Sequence, residues 1–250
     1  MLENIKILYH QGKQYIPDVT KAQVPGIFRG RPVITDVKVD ELSLVALCPT
    51  DAILSNPVRI DLGKCTFCGE CAREFPEKIK FTKDYKLSTN DRHRLILGEN
   101  VDAPIEVNPD KIRKEIYSFF KGSLKLRQVS AAGDNSCEWE LNACSNVNFD
   151  MGRFGIEFVA SPRHADGIVI TGPISHNMAD ALEMTYNAIP SPKIIILAGT
   201  DAISGGIFVD SPAINRSFLD KHTIDLYVPG NPVHPLTFIN GVLSLVRTKR

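Results

Sequence analysis

The sequence predicts an α/β protein in two parts, an open parallel sheet in the carboxyl-terminal half preceded by a small α+β unit. Three observations carry this. Gly167-Ile-Val-Ile-Thr-Gly172 and Lys193-Ile-Ile-Ile-Leu-Ala-Gly199 are short, β-branched and almost wholly apolar, as parallel strands buried on both faces must be. Between them, Asn177-Met-Ala-Asp-Ala-Leu-Glu-Met-Thr-Tyr186 has the length and polarity of a crossover helix. Far upstream, Cys65-Thr-Phe-Cys68-Gly-Glu-Cys71 packs three cysteines at two-residue intervals into a stretch with little regular periodicity.

Taken in order, residues 13 to 34 are broken by prolines and glycines and suit an extended arm or short strands. Asp40-Glu-Leu-Ser-Leu-Val-Ala-Leu-Cys48 reads as a short helix delivering Cys48. Asp51-Ala-Ile-Leu and Val58-Arg-Ile-Asp-Leu read as strands. A polar connection begins at Arg92-His93-Arg94, and Ile112, Ile116, Phe119 and Phe120 give residues 111 to 121 helical spacing with Gly122 as a stop. Its apolar face would dock on a neighbour or simply lie on the surface. Ile224-Asp-Leu-Tyr is a third parallel strand, and Val228-Pro-Gly-Asn-Pro turns sharply after it. Strand, helix, strand order predicts a flavodoxin-like sheet with its chemistry at the carboxyl ends of the strands. The expected division is 1–90, a linker and helix over 91–128, and 129–250.

Composition narrows the function. At 250 residues and 43% hydrophobic content the chain can bury a sizeable core. A formal net charge of zero leaves no field to gather nucleic acid or anionic lipid. The first residues lack a signal peptide's apolar segment, and no run reaches the roughly 18 apolar residues of a membrane span. The expected location is cytoplasmic. Six cysteines, four of them in a ligand pattern, fit a reducing compartment better than a disulfide framework.

Three cysteines at two-residue spacing can turn their sulfurs onto one inorganic cluster, and Cys48-Pro49 offers the fourth thiolate, as the Cys-Pro cysteine does in bacterial ferredoxins. The expected set is Cys48, Cys65, Cys68 and Cys71 around one [4Fe-4S] cluster. Zinc is the rival metal, although its ligands normally come as separated pairs. Residues 26 to 82 thus resemble a bacterial two-cluster ferredoxin, on Phe28-Arg-Gly-Arg-Pro, Cys48-Pro-Thr-Asp-Ala-Ile and Cys65 to Cys71 followed by Phe75-Pro76. The family's second set would need cysteines where Lys38, Glu41, Leu44 and Phe75 stand. By crossed ligation those four positions hold one and the same cluster, so one cluster is removed whole and the other keeps its ligands.

A second resemblance covers most of residues 130 to 245. Cys137-Glu-Trp-Glu140, Phe149-Asp-Met-Gly-Arg-Phe-Gly155, Ala160-Ser-Pro-Arg-His-Ala-Asp166, Thr171-Gly-Pro-Ile-Ser175, Pro192-Lys, Gly199-Thr-Asp-Ala-Ile-Ser-Gly-Gly206 and Tyr227-Val-Pro-Gly-Asn-Pro232 follow in order. This is similar to the small subunit of membrane-bound, energy-converting [NiFe]-hydrogenases and to the B (20 kDa) subunit of respiratory complex I. The resemblance implies a subunit that carries a terminal [4Fe-4S] cluster, partners a large subunit and reaches membrane subunits through the complex. It implies a peripheral place on the inner face of the membrane and an oxidoreductase complex in which this chain is not catalytic alone.

The ligand positions depart from that family. Cys137 fits its second cysteine, but the first falls on Ser136 or Asp134, the third on Asp201 and the fourth on Asn231. Cys144, about two helical turns beyond Cys137, could not replace them. A divalent cation on Asp134, Asp201 and Asn231 is an alternative, since oxygen ligands suit hard metals. Glu140 matches a glutamate that the resemblance gives a proton-relay role; the plainer reading is a partner of Arg153 or Arg163. His164 and His176 lack a second histidine at metal spacing. Gly205-Gly206 is a weak anion-site signal. Two functions remain: electron transfer through the amino-terminal cluster, or a docking subunit in which that cluster is structural.

Overall fold

The computed structural model describes residues 2–12 and 14–247, so Lys13, where the expected arm begins, lies outside the described residues. The first half contains helix α1 (Leu2–Gln11), strand β1 (Pro32–Ile34), helix α2 (Glu41–Ala46), strands β2 (Ile53–Leu54) and β3 (Arg59–Asp61), helix α3 (Glu70–Glu74) and strand β4 (Ile79–Phe81). From β1 onward this is a β-α-β unit written twice. β1 pairs antiparallel with β4, Val33 opposite Lys80, and β2 pairs antiparallel with β3, Ile53 opposite Ile60. α2 starts where expected because Asp40 caps it, its Oδ1 accepting from the Leu42 and Ser43 amides at 3.1 and 3.3 Å.

The stretch 91–128 is more structured than its reading as a linker. Strand β5 (Ile96–Gly98) joins the small sheet antiparallel to β3, with Leu97 opposite Ile60. Helix α4 (Lys114–Phe120) follows, shorter than the periodicity suggests, and strand β6 (Leu124–Ser130) begins before residue 128. β5 is three residues long, too short to show a period. Arg113, just before α4, binds Asp225 through two bonds of 2.8 and 2.9 Å, which fixes the helix against the sheet.

The second half comprises helix α5 (Ser136–Ala143), strands β7 (Ile156–Phe158) and β8 (Gly167–Thr171), helix α6 (His176–Ala188), strand β9 (Ile194–Ala198), helices α7 (Thr200–Ser204) and α8 (Ser217–Lys221), strand β10 (Leu226–Val228) and helix α9 (Pro235–Arg247). Five strands form a parallel sheet in the order β10-β9-β8-β6-β7. The first strand in sequence, β6, thus lies between the second and third. The order reverses beside it, which makes the carboxyl ends of these strands the topological switch point of the sheet.

The two halves share their interior. Alternate residues of β8 point to opposite faces: Ile168 and Ile170 enter one apolar cluster with Ile34, Leu44 and Ile60 of the first half. Val169 enters the other, with Phe238 and Ile239 of α9 and with Val19 and Tyr85 from upstream. Backbone pairing between Thr89 and Tyr227 closes the outer edge of β10, N–H to O at 3.1 and 2.8 Å. The arm is anchored as well, since Val19 is buried and its carbonyl accepts from the Tyr85 hydroxyl and from Asn240 Nδ2, both at 2.8 Å.

Candidate functional site

The four amino-terminal cysteines line one cavity, walled by Leu47, Ala52, Ile53, Ile60 and Phe81. Each arrives by its own local device. Cys48 follows the last turn of α2, its amide donating to the Val45 carbonyl at 3.0 Å, and Thr50 Oγ1 ties the turn to the Lys64 carbonyl at 2.7 Å. Cys65 is held by its amide on the Asp61 carbonyl at 2.9 Å. Asp61 in turn receives Arg92 through two bonds of 2.7 Å. Arg92, read in the sequence as the start of a polar connection, therefore braces the ligand loop.

The loop 65–71 reverses at Phe67 and Gly69, both left-handed with φ of 55° and 81°. A side chain at Gly69 would meet Arg29 Nε at 2.7 Å, and Arg29 Nη1 donates to the Phe67 carbonyl at 3.2 Å. Cys71 sits in the first turn of α3.

Amides point at the sulfurs: Ala52 N–H donates to Cys48 Sγ at 3.2 Å and Phe67 N–H to Cys65 Sγ at 3.3 Å. Cys65 and Cys71 are buried, Cys48 is half-buried and Cys68 is exposed. Burial, and then the closeness of the other thiols, pushes the Cys65 thiol up to about 12 and Cys71 up to about 11. Thiols held this way keep their protons until a cation repays the charge, so metal loading here releases protons. Among the described residues no three His, Cys, Asp or Glu side chains converge as ligands of a single ion.

The crevice at the strand ends is assembled from the loops after β6, β9 and β10. Gly199 is glycine because a Cβ would lie 2.5 Å from Cys137 Sγ, and the Thr200 amide donates to the Gly230 carbonyl at 2.9 Å. The sequence positions Cys137, Asp201 and the Gly230-Asn231 turn are thereby brought together. Burial first, then the neighbouring carboxylates, raises the Cys137 thiol to about 12. Asp134 and Ser136 engage each other, Ser136 Oγ and N–H both donating to Asp134 Oδ1 at 2.6 and 3.0 Å, and the Ser136 hydroxyl lowers the Asp134 pKa. Asp201 is raised by burial, with Asp134 adding to the effect, and its Oδ1 is buried without a partner. Cys144 faces away from the crevice into the core, fully buried, its Sγ on the Glu140 carbonyl at 3.4 Å.

The two sites adjoin. Thr200 Oγ1 donates to the Cys65 carbonyl at 2.8 Å, and Phe67 shares a cavity with Glu140, Asn231 and His234. Glu140 is raised by burial. Neither expected arginine pairs with it: Arg153 donates to the Ile16 carbonyl and lies over the Tyr15 and Phe154 rings, and Arg163 makes no ion pair among the described residues. His164 and His176 are exposed.

His234, Thr200 and Arg29 are members of the site that no spacing rule singles out. His234 sits between the Phe28 and Phe149 rings, and burial lowers it to about 4. Its one sequence signal is its place just beyond Gly230-Asn231-Pro232.

The parallel-sheet half is similar to known proteins. The profile of the NADH ubiquinone oxidoreductase 20 kDa subunit family matches residues 135–245, which include Cys137, Asp201 and Asn231 and exclude the four amino-terminal cysteines. A protein of Pyrococcus furiosus named "Probable membrane-bound hydrogenase subunit mbhJ" is 34% identical over 129 residues, 52% of this chain and 77% of that one. The B subunit of the NADH-quinone oxidoreductase of Heliobacterium modesticaldum is 35% identical over 159 residues, 60% of this chain and 90% of that one. A chain of the membrane-bound sulfane sulfur reductase, an archaeal respiratory membrane complex, is 31% identical with a TM-score of 0.43, over 50% of this chain and 69% of that one.

Proposed function

The chain belongs to the NADH ubiquinone oxidoreductase 20 kDa subunit family, and from that premise we propose that it is an iron-sulfur electron-transfer subunit of a membrane-associated complex related to energy-converting hydrogenase or complex I. One [4Fe-4S] cluster is held by Cys48, Cys65, Cys68 and Cys71. The observation that carries this is the lining of one cavity by all four sulfurs. Three of them come from a single run at two-residue spacing, which favours a cluster over zinc, whose ligands normally arrive as separated pairs. The doubled β-α-β order with its two antiparallel pairs supports a ferredoxin-like amino-terminal unit.

When bound, the cluster supplies one-electron chemistry. The chain's part is to hold the four thiolates, to offer the Ala52 and Phe67 amides to sulfur, and to limit water to the Cys68 side. The crevice does not fit a second cluster, because one thiol, two carboxyls, a hydroxyl and an amide stand where four thiolates are required. Partners are a large-subunit homologue and, through it, membrane subunits. No helix among the described residues is long and apolar enough to cross a membrane, and the proposed attachment runs through those partners.

Anaerobic purification with iron and sulfide assay, followed by EPR during dithionite titration, tests the reading. About four irons per chain are expected. None would overturn the proposal, and about eight would show that the crevice also loads. The loss of thiolates from the crevice favours a second reading, a docking subunit whose cluster only stiffens the amino-terminal unit. A cluster that cannot be cycled in the assembled complex would establish it.

A further inference from the structure

Among the described residues, one hydrogen bond joins residues 65–71 to the parallel-sheet half. It runs from Thr200 Oγ1 to the Cys65 carbonyl, 2.8 Å across 135 positions of sequence. Thr200 is fully buried at the carboxyl end of β9, and its amide simultaneously holds the Gly230 carbonyl. A single residue therefore fastens together the ligand loop, the start of α7 and the turn after β10. The cysteine cavity has two unlike sides: Cys68 is open to solvent, whereas Cys65 is sealed against the crevice.

We propose that Thr200 is the positioning residue that connects the four-cysteine centre to the strand-end crevice, so that one electron passes between the cluster and a partner redox centre covering that crevice by way of the Cys65 corner. This rests on the iron-sulfur reading above. The side-chain hydroxyl ties Thr200 to the Cys65 backbone; of its two carbonyl neighbours, Cys65 at 2.8 Å is nearer than Gly230 at 3.3 Å, so the O–H dipole points its positive end at Cys65. That orientation favours the added negative charge of the reduced cluster and so raises its potential. In the balanced step the oxidised cluster takes one electron from a one-electron carrier and passes one electron to the partner's centre. No bond is made or broken, and no proton moves.

The test uses the assembled complex with Thr200→Val and Thr200→Ser. Ferricyanide oxidation reads the open Cys68 side, reoxidation by the partner subunits reads the crevice side, and an EPR-monitored titration gives the midpoint potential. Thr200→Val is expected to keep its iron, to deliver electrons to the partner several-fold more slowly relative to its ferricyanide rate, and to show a lowered potential. Thr200→Ser is expected to match the wild type. A Thr200→Val complex that retains iron with unchanged delivery and potential overturns the inference. If valine prevents loading, serine decides: normal loading and delivery support the positioning role, and failure of serine as well overturns it. Wild-type complex without iron defeats the iron-sulfur reading instead.

Discussion

The two neighbouring sites are built by different logics. The cysteine loop gathers four thiols with a capped helix and two left-handed residues, which are local, and with an aspartate braced from Arg92. The crevice gathers its residues through the sheet, by placing three strand ends side by side. Four cysteines meet in the first, whereas Cys137 is the one thiol beside Asp201 and the Gly230-Asn231 turn in the second. The backbone of the second converges because strand register and glycine contacts fix it, independently of what its side chains bind.

The largest expected effect lies on the cysteine side. Cys65→Ser removes a buried thiolate whose loop position is fixed from both directions, so iron is expected to drop from about four per chain to near zero. Iron assay and the loss of the reduced-state EPR signal measure it. Cys137→Ser, on the crevice side, is expected to leave iron content unchanged. Equal losses in the two variants would mean that the sites are one.

Next is the tie that holds the supposed linker to the sheet. Arg113→Met leaves the buried Asp225 carboxylate, whose other hydrogen bond among the described residues is from the Ile195 amide at 2.9 Å, without its cation. A loss of about 2–3 kcal/mol is expected in urea unfolding, below the roughly 3–5 kcal/mol of a fully buried pair because Arg113 is partly exposed. A change below about 0.5 kcal/mol, the surface-substitution range, would mean that 91–128 behaves as a loose connection after all.

Much of the carboxyl-terminal sheet was legible because β8 and β9 are buried at every position, so no polar residue interrupts them. β6 was not, since Lys125, Arg127 and Gln128 break its apolar run even though it lies inside the sheet. Of the four cysteines that line one cavity, three were visible from spacing, which is local, and Cys48 from its Cys-Pro pair. The Arg92–Asp61 brace and the Thr200–Cys65 bond were invisible because each depends on a partner brought in by the tertiary fold, 31 and 135 positions away. His234 carried only the signal of its place beyond Gly230-Asn231-Pro232, because its low pKa comes from burial, not from neighbours in sequence.

Acid should act on two residues of the crevice region in opposite senses. His234 titrates near 4 when folded and near 6.5 when unfolded. Its contribution is complete above 6.5 and is lost as pH falls toward 4, because the unfolded chain takes the proton first. The slope is at most about 1.4 kcal/mol per pH unit. His234→Gln is expected to flatten the stability profile between pH 6.5 and 4, read by chemical unfolding at several pH values. An unchanged slope would show that His234 reaches water.

The smallest effect has the opposite sign and tests why Asp201 tolerates its place. Burial raises its pKa, so the folded state holds this proton to higher pH than the unfolded chain does. The favourable contribution is therefore present at low pH and lost as pH rises through the folded pKa, leaving a penalty at pH 7. Arg216 is close but is spent elsewhere, donating to the carbonyls of Pro173, Asp201, Ala202 and Ile203 rather than to the carboxylate. Asp201→Asn keeps the shape and removes the charge. It should stabilise the protein by about 1 kcal/mol at pH 7, the scale of an unsatisfied buried polar group, and the gain should vanish at about pH 3 where the aspartate is already neutral. A variant less stable at pH 7 than the wild type would mean that the attraction of Arg216 outweighs burial, and Asp201 would then be half of a charge pair rather than an unpaired buried carboxylate.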